Sequence, residues 1–200
     1  MRGFAGGRTF ADQIVISPES VPGLKKLADA VHHEGSAISI QLTHGGYFAD
    51  PKVIGRKPFG ASKVFNNYRL TYPVTLNDDE IAALIESFKE ASVLVKEAGF
   101  DAVEIHAGHG YLLSQFLSPY TNRRNDSWGG SAEKRCRLTA SVVEAVRVAV
   151  GKDFPILVKM NVSDGISGGL EIEEAVIAAS AFEKAGATAL VPSCGFPEEH

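Results

Sequence analysis

The densest group of side chains able to do chemistry lies at residues 103–111, in the run VEIHAGHGY. Alternate side chains of an extended strand point to one face, which places Glu104 and His106 together. The glycine that follows them allows a turn that returns His109 beside His106. Two imidazoles so placed can hold a metal ion or donate paired hydrogen bonds to one oxygen atom, and Tyr111 adds a phenol that can donate a proton.

Three interpretations of this run differ in what the histidines do. Polar residues in a tight turn would have a structural role alone. A catalytic zinc site needs a third protein ligand and a carboxylate base, and the spacing nominates neither. Two histidines and a tyrosine within residues 106–111, at the end of a predicted strand, favour binding of a ligand oxygen with proton transfer, and no metal.

Two further polar residues interrupt apolar runs. Lys159 lies in the run ILVKMN, residues 156–161, and a lysine is costly to bury unless it meets an anion. That anion is either an electron-rich ligand or the carboxylate of Glu104 on the neighbouring strand, and the sequence leaves both open. Gln41 lies near the end of an apolar run, where an amide that both donates and accepts is, taken alone, more often structural.

The elements that must position these residues repeat one pattern. Buried strands are predicted from short β-branched or aliphatic runs at residues 37–42, 102–106, 156–161 and 187–192. Amphipathic helices are predicted before them at residues 21–34, 78–98, 131–150 and 171–185. Gly35, Gly99 and Gly186 follow three of these helices, where a left-handed residue ends a helix. This repetition predicts an α/β chain with parallel strands.

Parallel α/β chains form mainly open doubly wound sheets or (β/α)8 barrels. An open sheet that binds a dinucleotide normally carries G-x-G-x-x-G directly after a strand, and none of the predicted strands is followed by it. Polar, irregular segments follow instead, as at the carboxyl face of a barrel. A complete barrel needs about 250 residues and eight strands. With 200 residues, the chain is predicted to be a partial (β/α)8 TIM barrel and a piece of something larger.

The composition excludes other classes. Side chains are 44% hydrophobic and 22% charged, as in an ordinary globular chain. A net charge of −4 offers no basic field for nucleic acid. No apolar run approaches the roughly 18 residues of a membrane span, and residues 1–7, MRGFAGG, contain no hydrophobic stretch that could serve as a signal peptide. Two cysteines, Cys136 and Cys194, are too few for a disulfide framework, which favours a reducing compartment. Together these observations lead us to expect a soluble cytoplasmic protein with neither nucleic-acid nor membrane partners.

Several motifs together resemble the Old Yellow Enzyme family of FMN-dependent oxidoreductases. In chain order they are QLTHGG at 41–46, GFD at 99–101, VEIH at 103–106, HAGHGYLL at 106–113, QFLSP at 115–119 with Asn122, Arg123 and Asp126, and GGSAEKR at 129–135. The resemblance covers roughly residues 21–194. A set of motifs in this order is far more specific than a three-residue motif.

The resemblance implies a TIM barrel that holds FMN at its carboxyl face and reduces activated carbon–carbon double bonds of small molecules such as enones. NADPH or NADH would reload the flavin. By position, Gln41 would hydrogen-bond the edge of the flavin ring, and Lys159 would lie beside flavin N1 and the C2 carbonyl. His106 and His109 would bind the carbonyl oxygen of an enone or the oxygen of a phenolate inhibitor. Tyr111 would protonate the α carbon.

The chain departs from the family pattern in residues and in length. The family usually has arginine at the position of Lys159, and lysine keeps the charge without the planar fork. It often has arginine where Tyr47 stands. Counterparts of its first two and last two strands are missing, so the four units correspond to strands three to six. Residues 1–200 are thus predicted to form one domain, the central portion of an FMN-binding barrel.

An alternative interpretation is a truncated, non-catalytic fragment that binds flavin poorly and self-associates. Half a barrel leaves open sheet edges, which favour pairing with another chain and make a homo-oligomer possible. Metal-dependent hydrolysis by His106 and His109 is a third and weaker interpretation, because the sequence offers no further ligand.

Overall fold

The main sheet of the protein has four parallel strands. The structure, a computed structural model, describes residues 5–196. Its strands are β1 (Ser39–Leu42), β2 (Phe59–Gly60), β3 (Val74–Thr75), β4 (Ala102–Ala107), β5 (Ile156–Ser163) and β6 (Ala189–Cys194). The main sheet has the order β1-β4-β5-β6, and the short β2 and β3 pair in a separate sheet. The four predicted strands are confirmed with ends that shift by one or two residues, and β2 and β3 are additional.

Helices precede each strand of the main sheet, as the periodicity predicted. The α-helices in residues 5–196 are α1 (Val21–His33), α2 (Pro51–Ile54), α3 (Asp78–Glu97), α4 (Leu112–Leu117), α5 (Ala132–Arg135), α6 (Arg137–Val150) and α7 (Ile172–Lys184). Of these, α1, α3, α6 and α7 precede β1, β4, β5 and β6. The continuous helix predicted over residues 131–150 is wrong: it divides at Cys136 into α5 and α6. Cys136 keeps helical dihedral angles, and its N–H bonds back to two carbonyls, so the division is a local change of hydrogen bonding. Across residues 5–196, no helix is long and apolar enough to cross a membrane.

Local sequence signals set the ends of the helices. At the start of α3, the Asn77 side chain accepts from the Glu80 N–H and the Glu80 carboxylate accepts from the Asn77 N–H. This reciprocal pair satisfies two amides that have no partner inside the helix. The predicted helix-ending glycines 35, 99 and 186 all have positive φ angles, of 74°, 85° and 106°.

The two faces of the main sheet differ in character. One face carries Leu42, Val103, Ile105, Ile156 and Val158, all at most 2% exposed and all part of one apolar core with the helices. Neighbouring residues in a parallel ladder share a face, so the register identifies the residues on the other side.

The opposite face is polar. The register sets Gln41 beside Glu104 and His106 beside Lys159, and the expected alternation of Glu104 and His106 with Val103 and Ile105 is confirmed. Within residues 5–196, β1 and β6 each pair on one side only. The helices thus cover the apolar face, while the polar face stays available to build a site.

Two valines of α6 test how much the apolar face contributes to stability. Val146 is fully buried, whereas Val148, one half-turn away, is 78% exposed. We expect Val146→Ala to lower the free energy of unfolding by about 2 kcal/mol, because apolar contact is lost and a small cavity remains. Val148→Ala makes the same change of helix propensity and should stay within about 0.5 kcal/mol of the parent in urea denaturation. Equal losses for the two variants would contradict this assignment of the core.

Candidate active site

The strand β4 carries His106 to the carboxyl edge of the polar face. Flanking residues Ile105 and Ala107 point into the core and are fully buried, which fixes the direction of the His106 side chain. His106 itself is only 3% exposed. Its neighbour across the ladder is Lys159 of β5, so an imidazole and an ammonium group lie side by side.

A tight turn after β4 returns His109 to His106, as the glycine between them predicted. The ring centroids of the two histidines are 5.1 Å apart. His109 has a φ angle of +56°, a left-handed conformation that costs a non-glycine residue about 1–2 kcal/mol. Its N–H donates to Asn161 Oδ1 at 3.1 Å, and its Nε2 lies 2.6 Å from Ser193 Oγ. These two contacts hold the residue in its strained conformation.

Tyr111 completes the group from the start of α4. Its ring centroid lies 5.1 Å from that of His106, in an edge-to-face arrangement. The helix is fixed by the Leu112 N–H, which donates to the His44 carbonyl at 2.9 Å, and by Gln115, whose amide donates to the Gly110 carbonyl at 2.7 Å. The structure therefore brings the three predicted residues His106, His109 and Tyr111 into one cluster.

A buried network behind this cluster was missed by the sequence interpretation. Asn161 is fully buried; its amide donates to Asp164 Oδ1 at 2.8 Å and to the Gly195 carbonyl at 3.0 Å. Asp164 in turn accepts from the Leu170 N–H at 2.8 Å. The available signal was polar residues at the carboxyl ends of β5 and β6, where barrel sites lie. Sequence alone gave no reason to connect them to His109.

Gln41 and Lys159 lie on the same polar face but make different contacts from those considered in the sequence. Gln41 Nε2 donates to Glu104 Oε1 at 2.5 Å. The suggested Lys159–Glu104 ion pair is not present in the part of the chain that the structure describes. The reason is register: Glu104 lies opposite Leu157, two positions before the lysine, and its carboxylate is turned to Gln41. Lys159 instead lies beside His106 in the ladder, and its charge lowers the pKa of both histidines.

Both site histidines are neutral at neutral pH. Burial, followed by the nearby charges of His109 and Lys159, lowers the pKa of His106 from 6.5 to about 4. Burial and then the charge of Lys159 also lower the pKa of His109. A neutral imidazole has one N–H donor and one acceptor nitrogen. The two rings together can therefore donate two hydrogen bonds to one acceptor atom.

One buried atom in the cluster has no protein partner. His106 Nδ1 makes no hydrogen bond with any residue between 5 and 196, although a buried polar atom without a partner is costly. The same part of the chain contains no group of three or more His, Cys, Asp or Glu side chains that could hold a metal ion. The atom is therefore available to a ligand that accepts or donates a hydrogen bond.

Comparison with known protein families gives one match over nearly the whole chain. Residues 4–191 match the sequence model of the NADH:flavin oxidoreductase / NADH oxidase family. Among curated relatives, a metal reductase of Desulforamulus reducens is 41% identical over 89% of this chain and 27% of its own length. An NADH oxidase of Thermoanaerobacter brockii is 37% identical over 96% of this chain and 30% of its own length. An NADPH dehydrogenase of Listeria monocytogenes is 41% identical over 78% of this chain and 45% of its own length.

Solved structures agree with these relatives. A 2-naphthoyl-CoA reductase in complex with 2-naphthoyl-CoA superposes with a TM-score of 0.92 and 30% identity, over 98% of this chain and 32% of its own. Morphinone reductase in complex with tetrahydroNAD superposes with a TM-score of 0.83 and 28% identity, over 94% of this chain and 57% of its own. An Old Yellow Enzyme homologue from Zymomonas mobilis superposes with a TM-score of 0.79 and 29% identity, over 89% of this chain and 53% of its own. The predicted partial (β/α)8 barrel and its family are confirmed, and the chain spans about a quarter to a little over half of these proteins.

Acid should weaken the fold through His106. Because its folded-state pKa of about 4 lies below the usual 6.5, the unfolded chain binds the proton more readily. The stability due to neutral His106 is therefore complete above pH 6.5 and is lost as the pH falls toward 4, by about 3 kcal/mol. We expect His106→Asn to reduce the loss of unfolding free energy between pH 7.5 and pH 4.5, measured in urea.

The solvent-exposed His33 at the end of α1 provides the control. His33→Asn should retain the acid-side loss of the parent protein. If His106→Asn and the parent lost the same free energy over this pH range, the buried neutral state of His106 would be refuted.

Proposed function

Because the chain belongs to the NADH:flavin oxidoreductase / NADH oxidase family, we propose that it forms the central part of an FMN-dependent oxidoreductase that reduces activated carbon–carbon double bonds. The oxidoreductase class and the FMN and nicotinamide cofactors are those of the family. The double-bond acceptor, an enone or a related small molecule, is our proposal. The observation that carries it is the convergence of His106, His109 and Tyr111 at one end of β4.

The side chains of the polar face fit a flavin ring. The Gln41 carboxamide lies on β1 and is held by Glu104 at one amide N–H, which leaves its oxygen and second N–H for the polar edge of a heterocycle. The Lys159 ammonium has no ion pair among residues 5–196 and can stabilise negative charge on an electron-rich ring. We propose that Gln41 and Lys159 bind the ring of FMN, with His106 and His109 left to the substrate.

In this proposal His106 and His109 polarise the acceptor, and Tyr111 supplies the proton. Bound FMN supplies hydride that originates from NADPH or NADH. The neutral His106 and His109 donate to the carbonyl oxygen of the acceptor, which draws electron density from the double bond and makes its β carbon electrophilic. Tyr111 donates its phenolic proton to the α carbon and recovers a proton from solvent. The acceptor thereby gains one hydride and one proton across the former double bond.

The names of the relatives support a carbonyl acceptor without restricting the site to one compound. Two structural neighbours are reductases named for 2-naphthoyl-CoA and morphinone. A curated relative is named a metal reductase and another an NADH oxidase. Two hydrogen-bond donors that meet at one oxygen favour the first kind of acceptor, because they stabilise the charge that develops there. We further propose that the protein works in the cytoplasm, where its two cysteines stay reduced.

A second candidate is a non-catalytic fragment that binds flavin poorly and self-associates. The observation that favours it is that β1 and β6, within residues 5–196, each leave one edge without a paired strand. Exposed sheet edges are templates for pairing with another chain. A homo-oligomer would then bury these edges.

A visible absorption spectrum of the purified 200-residue chain, taken with FMN and then with a para-substituted phenol, separates the two candidates. A retained flavin band with a new long-wavelength charge-transfer band would support the oxidoreductase. A colourless, self-associated protein that ignores FMN would support the fragment. Size-exclusion chromatography of the same sample measures the association.

The phenol titration also tests the histidines. We expect His106→Ala to weaken phenol binding by about 10–100-fold, because one hydrogen bond to the phenolate oxygen is lost. His33→Ala, at an exposed position, is the matched control and should bind phenol like the parent. An unchanged affinity in His106→Ala would refute its role in binding the oxygen.

Tyr111→Phe separates proton transfer from binding. In the FMN-loaded chain we expect reduction of an enone to slow by about 100-fold, since the proton donor is removed. Reduction of the flavin by NADPH or NADH and the affinity for phenol should change little. Stopped-flow absorbance measures the two half-reactions separately, and equal slowing of both would argue against Tyr111 as the donor.

A further inference from the structure

A single hydrogen bond from β6 orients the His109 ring. Its Nε2 lies 2.6 Å from Ser193 Oγ, a contact between residues 84 positions apart in the chain. Ser193 lies opposite Asn161 in the β5–β6 ladder, and Asn161 holds the His109 N–H. The backbone and the side chain of His109 are thus fixed by two adjacent positions of the sheet.

The direction of this hydrogen bond and the tautomer of His109 are linked. Among residues 5–196, His109 Nε2 is the one hydrogen-bond partner of the Ser193 hydroxyl. A hydroxyl that accepts from Nε2–H leaves a lone pair on Nδ1, whereas a hydroxyl that donates to Nε2 leaves the single ring proton on Nδ1. The partly exposed Ser193 has a protein acceptor for its proton only in the second arrangement, which is also the one that the proposed donor role of His109 requires.

We infer that Ser193 is a positioning residue that sets the tautomer of His109: its hydroxyl donates to Nε2 and keeps the ring proton on Nδ1. Nδ1 is the ring nitrogen left for a ligand. In this tautomer it presents an N–H to the ligand oxygen. In the other tautomer it would present a lone pair, which repels a carbonyl or phenolate oxygen. Ser193 therefore decides whether His109 can act as a donor, and this consequence for the ligand rests on the proposed function.

The tautomer is measured directly in the full chain without flavin or substrate. Long-range proton–nitrogen NMR of protein labelled with 15N-histidine at pH 7.5 identifies the protonated nitrogen of each of the six histidines, and His109→Gln assigns the signal of His109. We expect the Nδ1–H form in the parent protein. Ser193→Ala should shift His109 to the Nε2–H form that histidine favours in water, and Ser193→Thr, which keeps the hydroxyl, should restore Nδ1–H.

Ser163→Ala is the matched control, because Ser163 lies on the adjacent strand β5 and its hydroxyl contacts the Gly165 N–H instead. It should leave the His109 tautomer unchanged, and backbone amide spectra establish that every variant is folded. An Nε2–H tautomer in the parent would overturn the inference. So would a Ser193→Ala variant that is folded and still holds Nδ1–H.

Phenol binding to the FMN-loaded chain gives an independent measurement. Ser193→Ala should weaken the affinity by about tenfold through the loss of one aligned donor, and Ser193→Thr should recover it. A tautomer shift with unchanged phenol affinity would overturn the link from Ser193 to the ligand. A tautomer shift in a chain that binds neither FMN nor phenol would uphold the role of Ser193 and refute the proposed function.

Discussion

The pairing of β4 with β5 is the interaction on which the rest of the site depends. Its register sets His106 beside Lys159 and lets β5 continue past the last paired residue of β4. Asn161, on that continuation, reaches the backbone of His109. A slip of one residue would turn His106 toward the helices and bring apolar side chains onto the polar face. The deeply buried apolar residues of β4 and β5 oppose such a slip, so the core also fixes the geometry of the site.

The apolar face of the sheet stabilises the strand register, and the polar face carries the side chains of the site. The apolar face, packed under α3, α6 and α7, supplies the burial that holds the strands in register. On the opposite face, burial of the two histidine side chains and the nearby charge of Lys159 lower both pKa values, which keeps the rings neutral. Neutral rings need a defined tautomer before they can act as donors. The Ser193 hydroxyl of β6 supplies that definition for His109, while Asn161 of β5 holds the His109 backbone.

Membership of a flavin oxidoreductase family does not by itself define an acceptor, because function depends on the site carried by the fold. The names of the relatives include a metal reductase, an NADH oxidase and an NADPH dehydrogenase. What distinguishes an acceptor is the arrangement of donors around it. In this chain the arrangement consists of two neutral imidazoles and a phenol, with Lys159 beside them on the same face.

The sequence by itself determined the four helix and strand units, the alternation along β4 and the cluster of His106, His109 and Tyr111. These features depend on periodicity and on residues close together in the chain, and the motifs were long enough to indicate the family. Only the tertiary structure decided that Glu104 pairs with Gln41 and that Ser193 reaches His109. Such contacts join residues that are far apart in the chain. They depend on the register of the strands, which the packing of the whole apolar core sets and no local pattern of residues encodes.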